Sequence, residues 1–214
     1  MSRVITIDGP AGVGKGTICN LLSHHLNGEI LNSGEIYRTI ACNLVKNKIN
    51  SKDTMRVIKY VKSFDYKSLS SNKLYNKNID LISSQISSIS QLRKLVIKIQ
   101  RDFTGLNSNT NKLLIAEGRD MGTVIFPKAK VKIFLWANSK IRAQRRYQQV
   151  KKTKKNRKFY TILEEIKLRD FRDMSRKIAP LCPAEDSYLI DNSNLDIEQC
   201  FSKILKILKK NKII

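Results

Sequence analysis

Acidic residues are scarce in this chain: 18 Asp and Glu stand against 41 Lys and Arg, for a formal net charge of +23. Such an excess leaves two partner classes open, a nucleic-acid surface or a site for small polyanions. The chain is also rich in Asn, Ile and Ser, and a compositional drift towards lysine accounts for much of the charge without any partner. Aromatic side chains make up only 7%, so the core has to be aliphatic. Cys19, Cys42, Cys182 and Cys200 are scattered without a C-x-x-C pair, with only His24 and His25 beside them, which indicates neither a zinc site nor a disulfide framework. The two histidines fall late in the first expected helix, where they suit its C-terminal end. No apolar run reaches membrane-spanning length. No signal-length apolar segment precedes the first strand either, so a reduced, soluble, cytoplasmic protein is expected. With 214 residues and 41% hydrophobic content, one domain with a sizeable core is expected, or one domain carrying a small insertion.

The strongest positive signal is at the N-terminus. A short apolar strand, Val4–Ile7, runs into Asp8-Gly9-Pro10-Ala11-Gly12-Val13-Gly14-Lys15-Gly16-Thr17, and then into a helix carrying Leu21, Leu22 and Leu26. The stretch fits G-x-x-x-x-G-K-[ST] except that Gly16 takes the hydroxyl position and Thr17 follows it. Glycines let consecutive backbone N–H groups curl into a nest for phosphate oxygens at a helix N-terminus. Lys15 adds a mobile point charge for the β- and γ-phosphates. Strand, glycines, lysine, hydroxyl and helix in this order imply a nucleoside triphosphate site over Gly9–Thr17.

Further strand-like runs are Glu29–Leu31, Leu113–Ala116, Val131–Leu135 and Tyr188–Ile190. Helical patterns cover Thr17–Leu26, Glu35–Lys46, Ile79–Arg101, Ile141–Gln149, Tyr160–Ser175 and Ile197–Lys209. Strands alternating with helices predict a parallel sheet covered on both faces, whose ligands gather beyond the carboxyl ends of the strands. The unusual polar residues follow strands directly: Asp8-Gly9, Asn32-Ser33-Gly34, Glu117-Gly118-Arg119-Asp120 and Asp191-Asn192-Ser193. Residues 47–78 break the alternation as a polar stretch with at most two short β-like pieces. Lys151–Lys158, reading KKTKKNRK, is expected to be exposed and mobile.

Arg169, Arg172 and Arg176 stand with Asp170 and Asp173 at helical spacing, which puts Arg169, Arg172, Asp173 and Arg176 on one face. Such a row is either a solvated face with local ion pairs or a basic flap. In phosphoryl transfer a closing flap supplies cations and dry surroundings to the group in flight. Glu117 ends an apolar strand and is the best candidate acid for holding magnesium through water, with Thr17 as the displaced hydroxyl ligand.

IDGPAGVGKGT, NSGEIYR, SSQIS with a following arginine, EGRDMGTVIFPKAKVKIFL and KLRDFRDMSRKIAPL together resemble the bacterial-type cytidylate kinase family, in order and spacing over almost the whole chain. GRDMGTVIFP is specific to that family rather than to nucleotide kinases at large. The resemblance implies an α/β fold, a P-loop NTPase three-layer sandwich with a central parallel sheet. It implies a single domain over residues 1–214, with an NMP-binding insert at about 47–78 and a lid at about 150–168. It implies phosphoryl transfer from ATP to CMP or dCMP with Mg2+, in pyrimidine metabolism, by a monomer with no membrane or nucleic-acid partner. Carried over by resemblance, Gly9–Thr17 form the ATP phosphate loop, with Lys15 catalytic. Arg38 and Arg119 clamp the acceptor phosphate, with Ser33 of NSGEIYR close by. Ser84, Arg93 and Asp120 read the cytosine, while Arg169 and Asp173 meet the acceptor sugar. Arg176 is a phosphate-binding arginine of the flap, and Arg172 a weaker candidate for the same charge role. Arg145 or Arg146 supplies one more arginine.

The base reader also makes chemical sense alone. Cytosine offers an amino donor at N4, which a carboxylate such as Asp120 accepts, while Arg93 donates to the ring acceptors; the alternative is that the two simply pair with each other. This chain departs from the family pattern at Asn32, where an aspartate is usual, in the shortness of residues 47–78, and near Tyr75, where an arginine typical of the insert is replaced. Looser closure over CMP is therefore expected. Rival readings are a kinase of another small acceptor such as UMP, a nucleic-acid-dependent ATPase, and a nucleotide-binding regulatory module.

Overall fold

Strand β1 (Val4–Asp8) lies at the centre of a five-stranded sheet, with β3 (Leu114–Gly118) on one side and β4 (Val131–Trp136) on the other; β2 (Glu29–Asn32) and β5 (Tyr188–Asp191) complete the order β2-β3-β1-β4-β5. The computed structural model describes residues 4–63, 77–106, 112–152 and 157–214. Val4 pairs with Leu114 and Asp8 with Gly118, while Ile5 pairs with Val131 and Asp8 with Phe134; both ladders are parallel. Parallel strands buried on both faces read as continuous apolar runs, and every residue of β1 is buried.

The chain divides into two packing units, Met1–Ile30 with Lys112–Ile214, and Leu31–Asn111. In the first, the sheet unit, one face is covered by α1 (Lys15–Leu26) and α8 (Ile197–Lys210). Ile18, Cys19 and Leu22 of α1 and Cys200, Ile204 and Leu208 of α8 share a core with Ile5, Ile7, Ile115, Ile133 and Leu135. Thr6 and Lys132 alternate to the other face, where Gly122 lies against both. Lys132 is tolerated in a buried strand because its ammonium reaches the Pro127 carbonyl at 2.7 Å and Asp186 at 2.8 Å. Asp196 starts α8 with a capping box, its carboxylate accepting from Gln199 N while the Gln199 side chain accepts from Asp196 N. Helices α6 (Ser139–Lys152) and α7 (Phe159–Ser175) follow β4 and pack together.

The second, helical unit contains α2 (Ser33–Lys46), α3 (Thr54–Lys62), α4 (Lys77–Ile86) and α5 (Ser90–Leu106), with α2 packed on α4 and α3 on α5. Two expectations are corrected here. The polar stretch, expected to hold at most two short β-like pieces, contains a helix at Thr54–Lys62, started by the Asp53 side chain accepting from Arg56 N and anchored by buried Val57, Ile58 and Val61. The helix expected over Ile79–Arg101 is two helices, interrupted where the Ser87 and Ser88 hydroxyls turn back onto the Ser84 and Gln85 carbonyls. Position 75 and residues 153–156 of the basic run lie outside the described residues. Among the described residues no helix is long and apolar enough to cross a membrane.

Candidate active site

The glycine-rich loop leaves β1 at Gly9, where φ is +148°, and enters α1 through Gly14 at φ +99°, with no side chain capping the helix. A side-chain carbon at Gly9 would stand 2.2 Å from the Leu135 carbonyl oxygen of β4, so only glycine fits. The loop's carbonyls are held individually. Lys15 Nζ donates to those of Gly9 and Pro10 at 2.9 Å, Arg142 to that of Ala11 at 2.9 Å and Asn192 to that of Val13 at 2.8 Å. Because a trans peptide points its N–H opposite to its C=O, pinning Ala11 and Val13 turns the N–H groups of Gly12 and Gly14 the other way. A phosphate-binding nest needs N–H groups turned this way.

Lys15 is only 5% exposed. Burial, and then the Arg119 and Arg169 charges working against the pull of Glu117, bring its ammonium down to about 7. Positive charge around a buried ammonium disfavours its charged form, and a polyanion relieves it. Glu117, half-buried at the end of β3, stands 3.6 Å from where a side chain on Gly16 would begin. Thr17 is exposed on the first turn of α1.

Beyond β3, Gly118-Arg119-Asp120 leads into a π-helical turn, Met121–Ile125, in which Ile125 N donates to the Asp120 carbonyl at 3.1 Å and Phe126 N to that of Met121 at 2.7 Å. Asp8 sets the start of this turn: its two carboxylate oxygens accept from Met121 N at 2.9 Å and Gly122 N at 2.8 Å. Burial pushes the Asp8 carboxyl up to about 6 in spite of these two donors. Arg119 Nε meets Asp173 at 3.0 Å, Asp173 lies 3.6 Å from Arg176, and Arg176 lies 3.7 Å from Asp120. Sequence neighbours 119 and 120 thus clasp the end of α7 through charges of alternating sign. Burial raises the Asp173 carboxyl, but Arg119, Arg169 and Arg176 outweigh it and hold the group below the usual carboxylate range.

Lys15, Arg119, Asp120, Arg169, Asp173 and Arg176 are therefore brought together within the sheet unit. Arg172 is not; its Nε turns back onto the Leu168 carbonyl of its own helix at 3.3 Å. Arg176 is the first residue past α7. Arg145 reaches the Asn192 side chain and backbone and the Leu195 carbonyl, whereas Arg146 is exposed beside Gln149.

In the helical unit, Asn32 caps α2, its side chain accepting from Glu35 N at 3.2 Å. Asparagine caps as well as aspartate, so this departure from the family pattern keeps the local fold. Ser33 Oγ accepts from buried Gln100 at 2.7 Å. Arg38 is aimed by Asp80 at 2.9 Å. Arg93 donates twice to the Ser87 carbonyl and lies 5.7 Å from the centre of the Tyr37 ring. Ser84 is buried, and among the described residues its hydroxyl has no hydrogen-bond partner. Residue reading gave no role to Asp80, Gln100 or Arg142, and it placed Asp8 and Asn192 only among the polar residues at strand ends.

The cytidylate kinase family model matches residues 5–210. The chain is 36% identical to the cytidylate kinase of Pasteurella multocida, covering 97% of this chain and 96% of that one. It is 35% identical to cytidylate kinase 1 of Haemophilus influenzae, over 97% and 94%. Among solved structures, an uncharacterised protein from Eubacterium ventriosum shares the fold with a TM-score of 0.56 at 12% identity, over 98% and 99% of the two chains. A putative kinase from Chloroflexus aurantiacus does so at 0.50 and 12%, over 98% and 97%. A parallel sheet carrying a phosphate loop beyond its central strand, clasped arginines at the end of α7 and full-length relatives all agree: this chain belongs to the cytidylate kinase family.

Proposed function

We propose that the chain transfers the γ-phosphoryl group of ATP to CMP or dCMP, giving ADP and CDP or dCDP, as a cytoplasmic monomer with no nucleic-acid partner. The observation that carries this reading is the buried set Arg119–Asp173–Arg176–Asp120 beside Lys15, which assembles cations for phosphate and a carboxylate for an amino group. The triphosphate sits on Gly9–Thr17, with Lys15 leaving the Gly9 and Pro10 carbonyls for the β- and γ-oxygens. Arg38 and Arg119 bind the acceptor phosphate, with Ser33 holding its end of α2. Ser84, Arg93 and Asp120 read the base, and Arg169 and Asp173 meet the sugar. Arg176 and Arg169 supply charge to the transferring group, and Arg172 joins them only if its helix moves. Residues 47–78 act as the acceptor insert and 150–168 as the lid.

The acceptor oxygen is already an anion, so no general base is needed. The barrier lies in bringing two anions together, which is what the arginines and Lys15 offset. Among the described residues no three acidic, histidine or cysteine side chains group as a metal site. One carboxylate beside the loop and one exposed hydroxyl suit Mg2+ held mainly by phosphates and water; Glu117, through water, and Thr17 would be the residues to hold it. The ion supplies further neutralisation of the phosphate charge.

A coupled ADP-release assay with ATP and Mg2+ tests the reading against CMP, dCMP, UMP, AMP and single-stranded DNA. Turnover with CMP and dCMP, weak with UMP and absent with the rest, is expected; ADP release that needs only DNA overturns it. Asp120→Ala should raise KM for CMP by about 10- to 100-fold, the loss of one charged hydrogen bond, and narrow the gap from UMP. Unaltered kinetics with both acceptors would remove Asp120 from the base reader.

Lys15 also makes donor binding pH-dependent. Its ammonium titrates at about 7 without ligand and is held protonated by bound phosphates, so binding takes up a proton above that pH. ATP affinity is expected to be flat below pH 7 and to fall as pH rises to 9. Calorimetry in buffers of different ionisation enthalpy reads the proton directly.

A further inference from the structure

Arg142 is 1% exposed, and the mechanism above gives it no task. It sits on the first turn of α6 with each face of its guanidinium edge used. Nε donates to the Ala137 carbonyl just after β4 at 2.8 Å, Nη1 to the Ala11 carbonyl of the phosphate loop at 2.9 Å, and Nη2 to Asp170 of α7 at 2.6 Å. The Trp136 ring centre lies 5.8 Å from its central carbon. The second Asp170 oxygen, Oδ1, is buried and has no hydrogen-bond partner among the described residues. A buried ion pair with an unsatisfied oxygen is a poor way to hold two elements together, because well-packed apolar side chains do that at lower desolvation cost. What an apolar pair cannot do is grip a loop carbonyl and a helix carboxylate with one rigid planar group.

We propose that Arg142 and Asp170 are positioning residues that couple the phosphate loop to α7, so that nucleotide on Gly9–Thr17 and the placement of Arg169, Asp173 and Arg176 stabilise each other. Asp170 follows Arg169 directly and shares the buried side of α7 with Asp173. A shift of Asp170 therefore moves the arginine cluster with it. A shift of the Ala11 peptide, when phosphates fill the nest, changes the angle at which Arg142 meets Asp170. Such coupling is reciprocal. The inference rests on the reading that the loop binds ATP.

Hydrogen exchange with and without ATP tests it in wild type and Asp170→Asn, alongside steady-state kinetics. Asp170→Asn keeps the volume and an acceptor, while Arg142 keeps the Ala11 carbonyl. In wild type, ATP should slow exchange both in residues 9–17 and in residues 159–175. In Asp170→Asn the loop protection should remain, the α7 protection should vanish, kcat should drop at least tenfold, and KM for ATP should stay within threefold. Equal ATP-induced protection of α7 in both proteins, or kcat within threefold of wild type, overturns the coupling. Should Asp170→Asn fail to fold, Arg142→Lys carries the same test, with the same loss expected in α7 and a weakened ATP affinity as well. Wild type that shows the exchange pattern but no turnover of CMP would refute the kinase reading and leave the coupling standing.

Discussion

Lys15→Met is expected to lower turnover of CMP with ATP by about a thousandfold, the scale of losing one preorganised charge from a transition state. It should do so without unfolding the protein. The ammonium is buried and titrates near 7 rather than at its ordinary 10.5, so the folded chain holds it at a cost that only phosphate relieves. The sign of the pH dependence follows from that depression. Between about pH 7 and 10.5 folding releases a proton from Lys15, so wild-type stability gains from rising pH there, and below 7 the full penalty applies. Lys15→Met lacks that gain. Thermal melts of both proteins between pH 6 and 9 should diverge at the acidic end, with the variant the more stable. Near-normal turnover of Lys15→Met would remove the lysine from the chemistry, and parallel melting curves would contradict its buried charge.

Gly9→Ala should fail earlier, at folding. The added carbon would enter the Leu135 carbonyl oxygen at 2.2 Å, and φ of +148° is one that side-chain-bearing residues rarely adopt. Either the loop or β4 has to move, and both are framed by buried core. A loss of roughly 3–5 kcal/mol is expected, or a fall in Tm of about 10 °C, together with loss of ATP binding. Gly16→Ala is the control. Its added carbon would meet only the Glu117 carboxylate, at an ordinary 3.6 and 4.0 Å, so its Tm should stay within a few degrees of wild type. Melting of Gly9→Ala at the wild-type temperature would mean that the loop bends more easily than its contacts imply.

The strands were legible because each is a short apolar run, four of them closed by Gly, Asn or Asp, and all five lie within a residue or two of expectation. The site was legible where chemistry imposes a local pattern: the phosphate loop, Gly118-Arg119-Asp120 and the charged end of α7. Three features were not. Helix α3 buries only Val57, Ile58 and Val61, too few apolar positions to stand out of a polar stretch. The π-helical turn has no periodic signature, since its shape comes from Asp8, more than a hundred residues earlier in the chain. Arg142 looks like any basic residue of a basic helix. Its burial is decided by Ala11 and Asp170, which adjoin it only in space.

The register of β1 has a bearing on how the molecule is made. Val4–Asp8 emerges first, yet its ladders are with Leu114–Gly118 and with Val131–Phe134. Synthesis at 5–20 residues per second puts about ten seconds between the phosphate loop and the strands that frame it. During that interval Leu31–Asn111, a unit continuous in sequence, has already been produced. A nascent chain stopped before β4 contains every residue of the loop, but lacks the Leu135 carbonyl beside Gly9, the guanidinium on Ala11 and the amide of Asn192 on Val13. Nucleotide capture is therefore acquired late, and a growing polypeptide in a cytoplasm full of ATP gains nothing from it until its final third is out.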